Sequence, residues 1–176
     1  MRGKRFLALL AIVTVFGFAI VLLASLRHSL ERERALRQGR IFPPMTVHVL
    51  GEGDEERTLP SGRKMLLVFF RSDCPQCERE LAHLERVCEQ IPEERLECVA
   101  LSFSTEPQTY AWWRAQTFRR LKIAVSRDPD FAERHRDWLM AVPLVFLITE
   151  RGTIHERHAG ERSPDYTLAR VREFVQ

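Results

Sequence analysis

The residues of this chain whose type and spacing could carry chemistry are two cysteines, Cys74 and Cys77, in the sequence Cys-Pro-Gln-Cys. They follow a continuous apolar run at 64–70 and precede a stretch in which apolar residues recur every three or four positions. This pattern predicts a buried strand, then a helix that begins at the cysteine pair. Two thiols so placed can form and break a disulfide, so dithiol exchange is the first chemistry to consider.

The predicted helix start gives the two cysteines different roles. Pro75 suits the first helical position, where a missing N–H group costs nothing, and this places Cys74 at or near the N-cap. Free N–H groups and the positive end of the helix dipole stabilise a thiolate there and lower the pKa of the thiol. Cys77 lies one turn further along the helix. We therefore expect Cys74 to be the nucleophile and Cys77 the resolving thiol.

Half of a zinc site is the alternative use of such a pair, and it requires a second pair of ligands at suitable spacing. Cys88 and Cys98 do not supply one, because Cys88 belongs to the apolar stripe of the predicted helix. His155 and His158 stand at odd spacing on a predicted strand and point to opposite faces. We interpret them, and His83, as solvated surface residues, and we predict no metal site.

Strand and helix patterns alternate through the rest of the chain. Strands are predicted over 46–50, 64–70, 96–103, 121–125, 144–149 and 153–158. Helices are predicted over 74–90 and 107–117, in a short segment after Asp128-Pro129, and from Ser163-Pro164-Asp165 onward. The polar segment 51–57 is predicted to be a turn. The alternation predicts an α/β domain, a three-layer sandwich with a mixed sheet.

The N-terminal part of the chain predicts a membrane anchor. Residues 6–26 carry no charged side chain, and a helix of that length spans the ~30 Å hydrocarbon core. We predict a cytoplasmic tip at 1–5, one transmembrane helix at 6–26, a polar stalk at 27–41 and a globular domain at 42–176. A cleaved signal peptide is the alternative, although its apolar region is usually only about 7–15 residues long.

Charge is distributed unevenly between these segments. Residues 1–40 carry eight basic and two acidic residues, whereas residues 41–176 carry nineteen basic and twenty-two acidic ones. The globular part is mildly acidic, which argues against a nucleic-acid partner. Arginines flank the apolar segment on both sides, so charge alone does not determine its orientation in a membrane.

The segment VFFRSDCPQCEREL, at 68–81, resembles the active-site segment of thioredoxin-fold proteins. From about Phe42 to Gln176 the order of elements resembles the TlpA/ResA-type membrane-anchored thiol–disulfide oxidoreductases. The matching features are Pro44 before an added strand, the cysteine pair after the first core strand, an insert at about 96–125, and Val142-Pro143 before the strand LVFLIT. The resemblance implies a thioredoxin fold outside the cytoplasm, no organic cofactor, and a cis Pro143 that faces the cysteine pair.

By the same resemblance, Pro75, Gln76 and Val142 line a groove for a protein substrate. The chain departs from the family at Val68, where cytoplasmic thioredoxins keep a buried acid, and at Leu144, where the family often has Thr. The groove is therefore expected to differ from that of its relatives.

A further departure concerns the charge beside the nucleophile. Asp73 replaces the Trp that usually precedes the first cysteine. Asp73 alone would disfavour a thiolate on Cys74, and Arg71 alone would favour it. Their balance, and with it the redox potential, stays open at this stage.

The remaining cysteines, Cys88 and Cys98, leave two interpretations open. They stand near a predicted helix end and a predicted strand start, which are neighbours in such a fold, so an oxidising compartment would permit a structural disulfide. Alternatively, they are two buried thiols that pack as small hydrophobic groups.

Together these observations predict an enzyme of the inner membrane, single-pass with its N-terminus inside, whose catalytic domain lies in the periplasm. It would exchange disulfides with extracytoplasmic proteins, as a reductant of the cytochrome c maturation or metal-site assembly type. An upstream electron donor or acceptor in the membrane would exchange electrons with it.

Three alternatives compete with this function. A peroxiredoxin-like peroxidase needs Pro and Thr where this chain has Leu67 and Arg71, and a copper chaperone of the Sco type needs a Cys-x-x-x-Cys motif. A non-catalytic assembly factor would use the thioredoxin fold only as a scaffold.

Overall fold

The computed structural model describes residues 17–23, 37–53 and 56–176, and it divides the chain into two units, Met1–Arg37 and Gln38–Gln176. In the first unit, residues 17–23 are helical. Among the residues described, no helix is both long enough and apolar enough to cross a membrane. The predicted tip at 1–5, most of the predicted anchor at 6–26 and most of the predicted stalk at 27–41 lie outside the described residues.

The second unit is built from alternating strands and helices. Its elements are β1 Met45–Val49, β2 Glu56–Leu59, β3 Met65–Phe70, α1 Pro75–Glu89, β4 Glu97–Ser102, α2 Glu106–Trp113, β5 Lys122–Val125, α3 Phe131–Arg134, α4 Arg136–Leu139, β6 Leu144–Ile148, β7 Ile154–Ala159 and α5 Pro164–Val175.

The strands form one mixed sheet in the order β2-β1-β5-β4-β3-β6-β7. β3 is parallel to β4, and β4 is parallel to β5. The other neighbouring strands pair antiparallel. The predicted α/β class with a mixed sheet is therefore confirmed.

The central strand β3 is buried along its whole length, as its continuous apolar sequence predicts. Because successive side chains of a strand point to opposite faces, β3 contributes to two cores. Leu66 and Val68 belong to the core that α1 and α5 cover. On the other face the ring of Phe69 lies 5.3 Å from that of Trp138 in α4 and 6.3 Å from that of Phe42.

The predicted turn at 51–57 is wrong at its C-terminal end. Glu56 and Arg57 belong to β2, which pairs antiparallel with β1 at the edge of the sheet. Only Leu59 of this strand is buried. Charged side chains protect an edge strand from unwanted pairing, and they also remove the apolar alternation by which a strand is recognised.

The predicted helix at 107–117 ends earlier, at Trp113. Beyond it the Ala115 N–H group donates to the Trp112 carbonyl at 3.1 Å, so the chain turns more tightly than an α-helix. This turn brings the ring of Phe118 back to 5.9 Å from that of Trp112. Aromatic packing therefore accompanies the shorter helix.

Residues 38–41, which the sequence places in the stalk, pair with the hairpin formed by β6 and β7. The Gly39 N–H group donates to the Ile154 carbonyl at 2.7 Å, and the Ile154 N–H group donates to the Arg40 carbonyl at 2.8 Å. The compact unit accordingly begins at Gln38, a few residues before the predicted boundary.

A buried carboxylate on α1 organises the turn that leads into β5. Glu85 is 8% exposed. Its Oε1 accepts the N–H groups of Arg119 at 2.6 Å and Arg120 at 3.0 Å, and its Oε2 accepts the N–H group of Leu121 at 2.8 Å. One side chain therefore satisfies three backbone donors that precede a strand of the sheet.

We expect Glu85→Ala to lower the free energy of unfolding of the full chain by about 1–3 kcal/mol, because backbone donors lose their acceptor. Glu89→Ala changes an exposed residue of the same helix, and a change within about 0.5 kcal/mol is expected there. Urea unfolding followed by circular dichroism measures both variants. Equal stability of the two variants would contradict the role given to Glu85.

Candidate active site

Cys74 and Cys77 lie at the start of α1, joined by a disulfide with their Cα atoms 5.2 Å apart. Cys74 is the N-cap, with extended backbone angles of φ −109° and ψ 105°, and its sulfur accepts the Cys77 N–H group at 3.1 Å. Pro75 occupies the first helical position. Cys74 is half-buried, whereas Cys77 is completely buried. Only the first sulfur can be reached by a partner, which favours the roles expected from the sequence.

A chain of hydroxyl groups fixes the loop that carries Cys74. The Ser72 N–H group donates to Ser104 Oγ at 3.0 Å, and the Ser104 N–H group donates to Ser102 Oγ at 3.0 Å. Thr109 Oγ1 of α2 donates to the same Ser102 Oγ at 2.8 Å. The loop is therefore tied to the carboxyl end of β4, and β4 to α2. These hydroxyls position the site, and they were not predicted from the sequence.

The Val142–Pro143 peptide bond is cis, as the resemblance implies. The Pro143 carbonyl accepts the Gly160 N–H group at 2.8 Å. A Cβ atom at Gly160 would lie 3.7 Å from Nε2 of Gln76. The proline loop, the loop after β7 and the start of α1 therefore meet at one place.

Gly160 was missed by the sequence analysis, although a glycine directly after the last strand is a usable signal. Its φ of +80° is one that residues with a side chain rarely adopt. Around this place Pro75 and Gln76 are exposed and Val142 is half-buried. Their role in a substrate groove stays a prediction.

The two charges before the nucleophile bind each other. Arg71 Nε donates to Asp73 Oδ1 at 2.9 Å, and Arg71 Nη2 donates to Asp73 Oδ2 at 2.5 Å. The hydrogen bonds from Arg71 lower the pKa of the Asp73 carboxyl, and the same bonds raise the pKa of Arg71. The structure therefore shows a closed ion pair where the sequence shows two opposing charges.

A buried carboxylate lies one helical turn after Cys77. Glu80 is 0% exposed, and its Oε2 accepts the Arg162 N–H group at 3.2 Å. Residues three apart share a helix face, so Glu80 lies on the side of α1 that buries Cys77. Val68, the position of the usual thioredoxin acid, is itself fully buried.

Two histidines surround this carboxylate, contrary to the surface role expected for them. His158 Nε2 lies 3.7 Å from Glu80 Oε1 and its side chain is 8% exposed, while His83 Nδ1 lies 3.8 Å from Glu80 Oε2 and is 22% exposed. The expectation of solvated residues fails because the face of the edge strand β7 that carries His158 is turned toward α1. Within the described part of the chain, no three His, Cys, Asp or Glu residues are arranged to hold a metal ion.

The structure also joins Cys88 and Cys98, one of the two interpretations that the sequence left open. This disulfide connects α1 to β4 with the Cα atoms 6.5 Å apart. Cys88 is 0% and Cys98 2% exposed. Cys88 stands near the end of α1, one helix length from Cys74, so this pair is separate from the exposed one.

Comparison with known proteins agrees with this geometry. Residues 40–157 match the model of the AhpC/TSA family. The chain is 24% identical over 175 residues to the thiol-disulfide oxidoreductase ResA of Halalkalibacterium halodurans, covering 99% of this chain and 96% of that protein. It is also 24% identical over 158 residues to the thiol:disulfide interchange protein DsbE of Pasteurella multocida, covering 87% of this chain and 83% of that protein.

Solved structures show the same fold. The thioredoxin domain of a thiol-disulfide oxidoreductase from Bacteroides vulgatus is similar, with a TM-score of 0.67 and 18% identity over 80% of this chain and 99% of that one. StoA from Bacillus subtilis gives a TM-score of 0.58 and 18% identity over 76% of this chain and 97% of that one. The predicted thioredoxin-like fold is thereby confirmed.

The relatives bear on two further predictions. Their names agree with the resemblance to TlpA/ResA-type proteins and with an enzyme of the thiol–disulfide oxidoreductase class, and both predictions are confirmed. Because the family model matches more than half of its length, this chain belongs to the AhpC/TSA family.

Proposed function

We propose that this protein is a membrane-anchored oxidoreductase that reduces disulfides of extracytoplasmic proteins through Cys74 and Cys77. One observation carries the proposal. A disulfide stands at a helix start with one sulfur half-buried and the other completely buried. This asymmetry suits disulfide exchange with a large partner. The partner can contact the sulfur of Cys74, while the buried sulfur of Cys77 remains available to resolve the mixed disulfide.

The reaction proceeds in two exchanges. In the reduced enzyme, the thiolate of Cys74 attacks one sulfur of the target disulfide, and the other target sulfur leaves as a thiolate that takes up a proton. Cys77 then loses its proton and attacks the sulfur of Cys74. The second target thiol is released and the Cys74–Cys77 disulfide forms. Two electrons pass to the target, and a membrane electron donor must reduce the enzyme again.

The groove for the partner is assigned to the exposed start of α1 and the adjacent proline loop. Pro75 and Gln76 are exposed beside the half-buried Cys74. An extended segment of the partner would pair with the backbone of Val142, as peptides pair with exposed strand edges. The cysteine of the partner would then lie over Cys74.

The membrane anchor and the location outside the cytoplasm belong to this proposal as well. The apolar segment at 6–26 has the length and composition of a transmembrane helix. A second, buried disulfide between Cys88 and Cys98 suits an oxidising compartment. We place the N-terminus in the cytoplasm and the catalytic domain in the periplasm.

The peroxidase alternative has less support. Its motif requires Pro and Thr at the positions of Leu67 and Arg71, but Leu67 is fully buried within β3 and Arg71 is bound to Asp73. Peroxide consumption by the reduced protein at rates above those for a protein disulfide would favour it. The non-catalytic alternative requires that a Cys74→Ser variant keep full activity in cells.

We expect limiting iodoacetamide to label Cys74 of the reduced protein about tenfold faster than Cys77, because Cys74 is accessible and lies at the helix start. Peptide mass mapping measures both rates. A Cys77→Ala variant should retain its protein target as a mixed disulfide on Cys74, while a Cys74→Ala variant is the matched control that should not. Faster labelling of Cys77 would reverse the roles.

The reduction potential of the Cys74–Cys77 pair tests the direction of exchange. As a reductant, the enzyme should have a potential near that of thioredoxin, about −270 mV, and well below that of DsbA, about −120 mV. Equilibration with glutathione, read by alkylation and mass spectrometry, gives the value. A potential near the DsbA value would make the protein an oxidase.

Fusion of a reporter after Gln176 tests the topology. Alkaline phosphatase, which is active only outside the cytoplasm, should be active there, since one span places the two ends of the chain on opposite sides. A reporter that is active only in the cytoplasm, fused at the same site, is the control and should be inactive. Activity of that second reporter would overturn the proposed location.

A further inference from the structure

Directly before Cys74, two exposed side chains of opposite charge bind each other at two points. We call Arg71 and Asp73 the 71–73 pair; its two hydrogen bonds measure 2.9 Å and 2.5 Å. The side chains are 48% and 63% exposed. An exposed ion pair contributes little to stability, about 0–1 kcal/mol, so replacing either residue is not expected to unfold the domain.

The backbone holds the 71–73 pair next to the reactive sulfur. The Cys74 N–H group donates to the Arg71 carbonyl at 3.3 Å, which closes a turn of four residues. Within that turn the Ser72 N–H group is bound to Ser104 Oγ at 3.0 Å. The backbone of both charged residues thus belongs to a fixed turn that ends at Cys74.

The electrostatic consequence follows from the pairing. A lone carboxylate near a thiol disfavours its thiolate, and a lone guanidinium favours it. When the two charges bind at two points, the pair carries no net charge, and its field falls off faster with distance than the field of either charge alone. The hydrogen bonds from Arg71 lower the pKa of Asp73, which is the direction expected when a carboxylate is bound to a guanidinium group.

We infer that Arg71 and Asp73 act as a matched pair of positioning residues, which keeps the reactivity of Cys74 at the level that the helix start gives it. Each residue cancels the effect of the other, so the thiolate fraction of Cys74 is left to the helix start. Removing the charge of Asp73 raises the thiolate fraction of Cys74, and removing the charge of Arg71 lowers it. Removing both charges restores the original fraction. The inference rests on the proposed function, because it concerns the nucleophile of that reaction.

Other charged groups lie near the motif, and substitution of Arg71 or Asp73 leaves them unchanged. They are Glu78, Arg79 and buried Glu80 on α1, His158 in β7, and Glu161 and Arg162 in the loop that follows β7. Differences between variants of the 71–73 pair therefore report on that pair and not on this background.

The test compares the full-length protein with Arg71→Gln, Asp73→Asn and the double variant. The readout is the pH dependence of iodoacetamide labelling of Cys74, resolved by peptide mass mapping. We expect the midpoint of this pH dependence to fall by about 0.5 pH unit in Asp73→Asn and to rise by about as much in Arg71→Gln. The shifts are small because exposed charges are strongly screened. The double variant should return to the wild-type midpoint.

Two controls separate charge from structure. Arg86→Gln removes an exposed arginine near the other end of α1 and should leave the midpoint unchanged. In about 1 M salt, where the Debye length is only about 3 Å, the shifts of both single variants should shrink. If the pair had only a structural role, substitution would change neither the midpoint nor the way the midpoint depends on salt.

The outcomes are distinct. Unchanged midpoints in both single variants, or shifts of both in the same direction, overturn the inference while leaving the proposed function intact. Faster labelling of Cys77 than of Cys74 in the wild-type protein overturns the proposed roles themselves. Opposite shifts with restoration in the double variant support the inference.

Discussion

The site depends on one constraint, the passage from a fully buried strand to an exposed helix start within four residues. β3 ends at Phe70 with every side chain buried, and α1 begins at Pro75. The intervening turn is held by the Cys74 N–H bond to the Arg71 carbonyl and by Ser104. Because the turn is tied down at both ends, the Cys77 N–H group at the start of the helix donates to the sulfur of Cys74.

The same helix carries two disulfides in different surroundings, and burial distinguishes them. At its start Cys74 is half-buried above a fully buried Cys77, while near its end Cys88 is bonded to Cys98 and both are inaccessible. Thiol exchange requires that an attacking thiolate reach a sulfur atom. Only the first pair meets that requirement, so α1 carries one disulfide with an accessible sulfur and one that is fully buried.

Much of the fold could be predicted from the sequence because strands such as β3 and β6 are continuous apolar runs. The failures have identifiable physical causes. β2 was missed because its edge position favours charged side chains such as Glu56 and Arg57. The burial of Glu80 beside His158 was missed because a buried polar group leaves no periodic signal, and its burial depends on what the neighbouring strand places against it.

By itself the sequence determined the α/β class, the place of the cysteine pair at a helix start, and the N-caps Cys74 and Ser163. These depend on side chains within about four positions of one another, where backbone geometry is nearly constant. Only the tertiary structure decided that Arg71 binds Asp73, that Cys88 is bonded to Cys98, and that Gly160 links the proline loop to α1. Charge balance, a disulfide and a contact between loops all depend on distances in space, and the order of residues does not specify those distances.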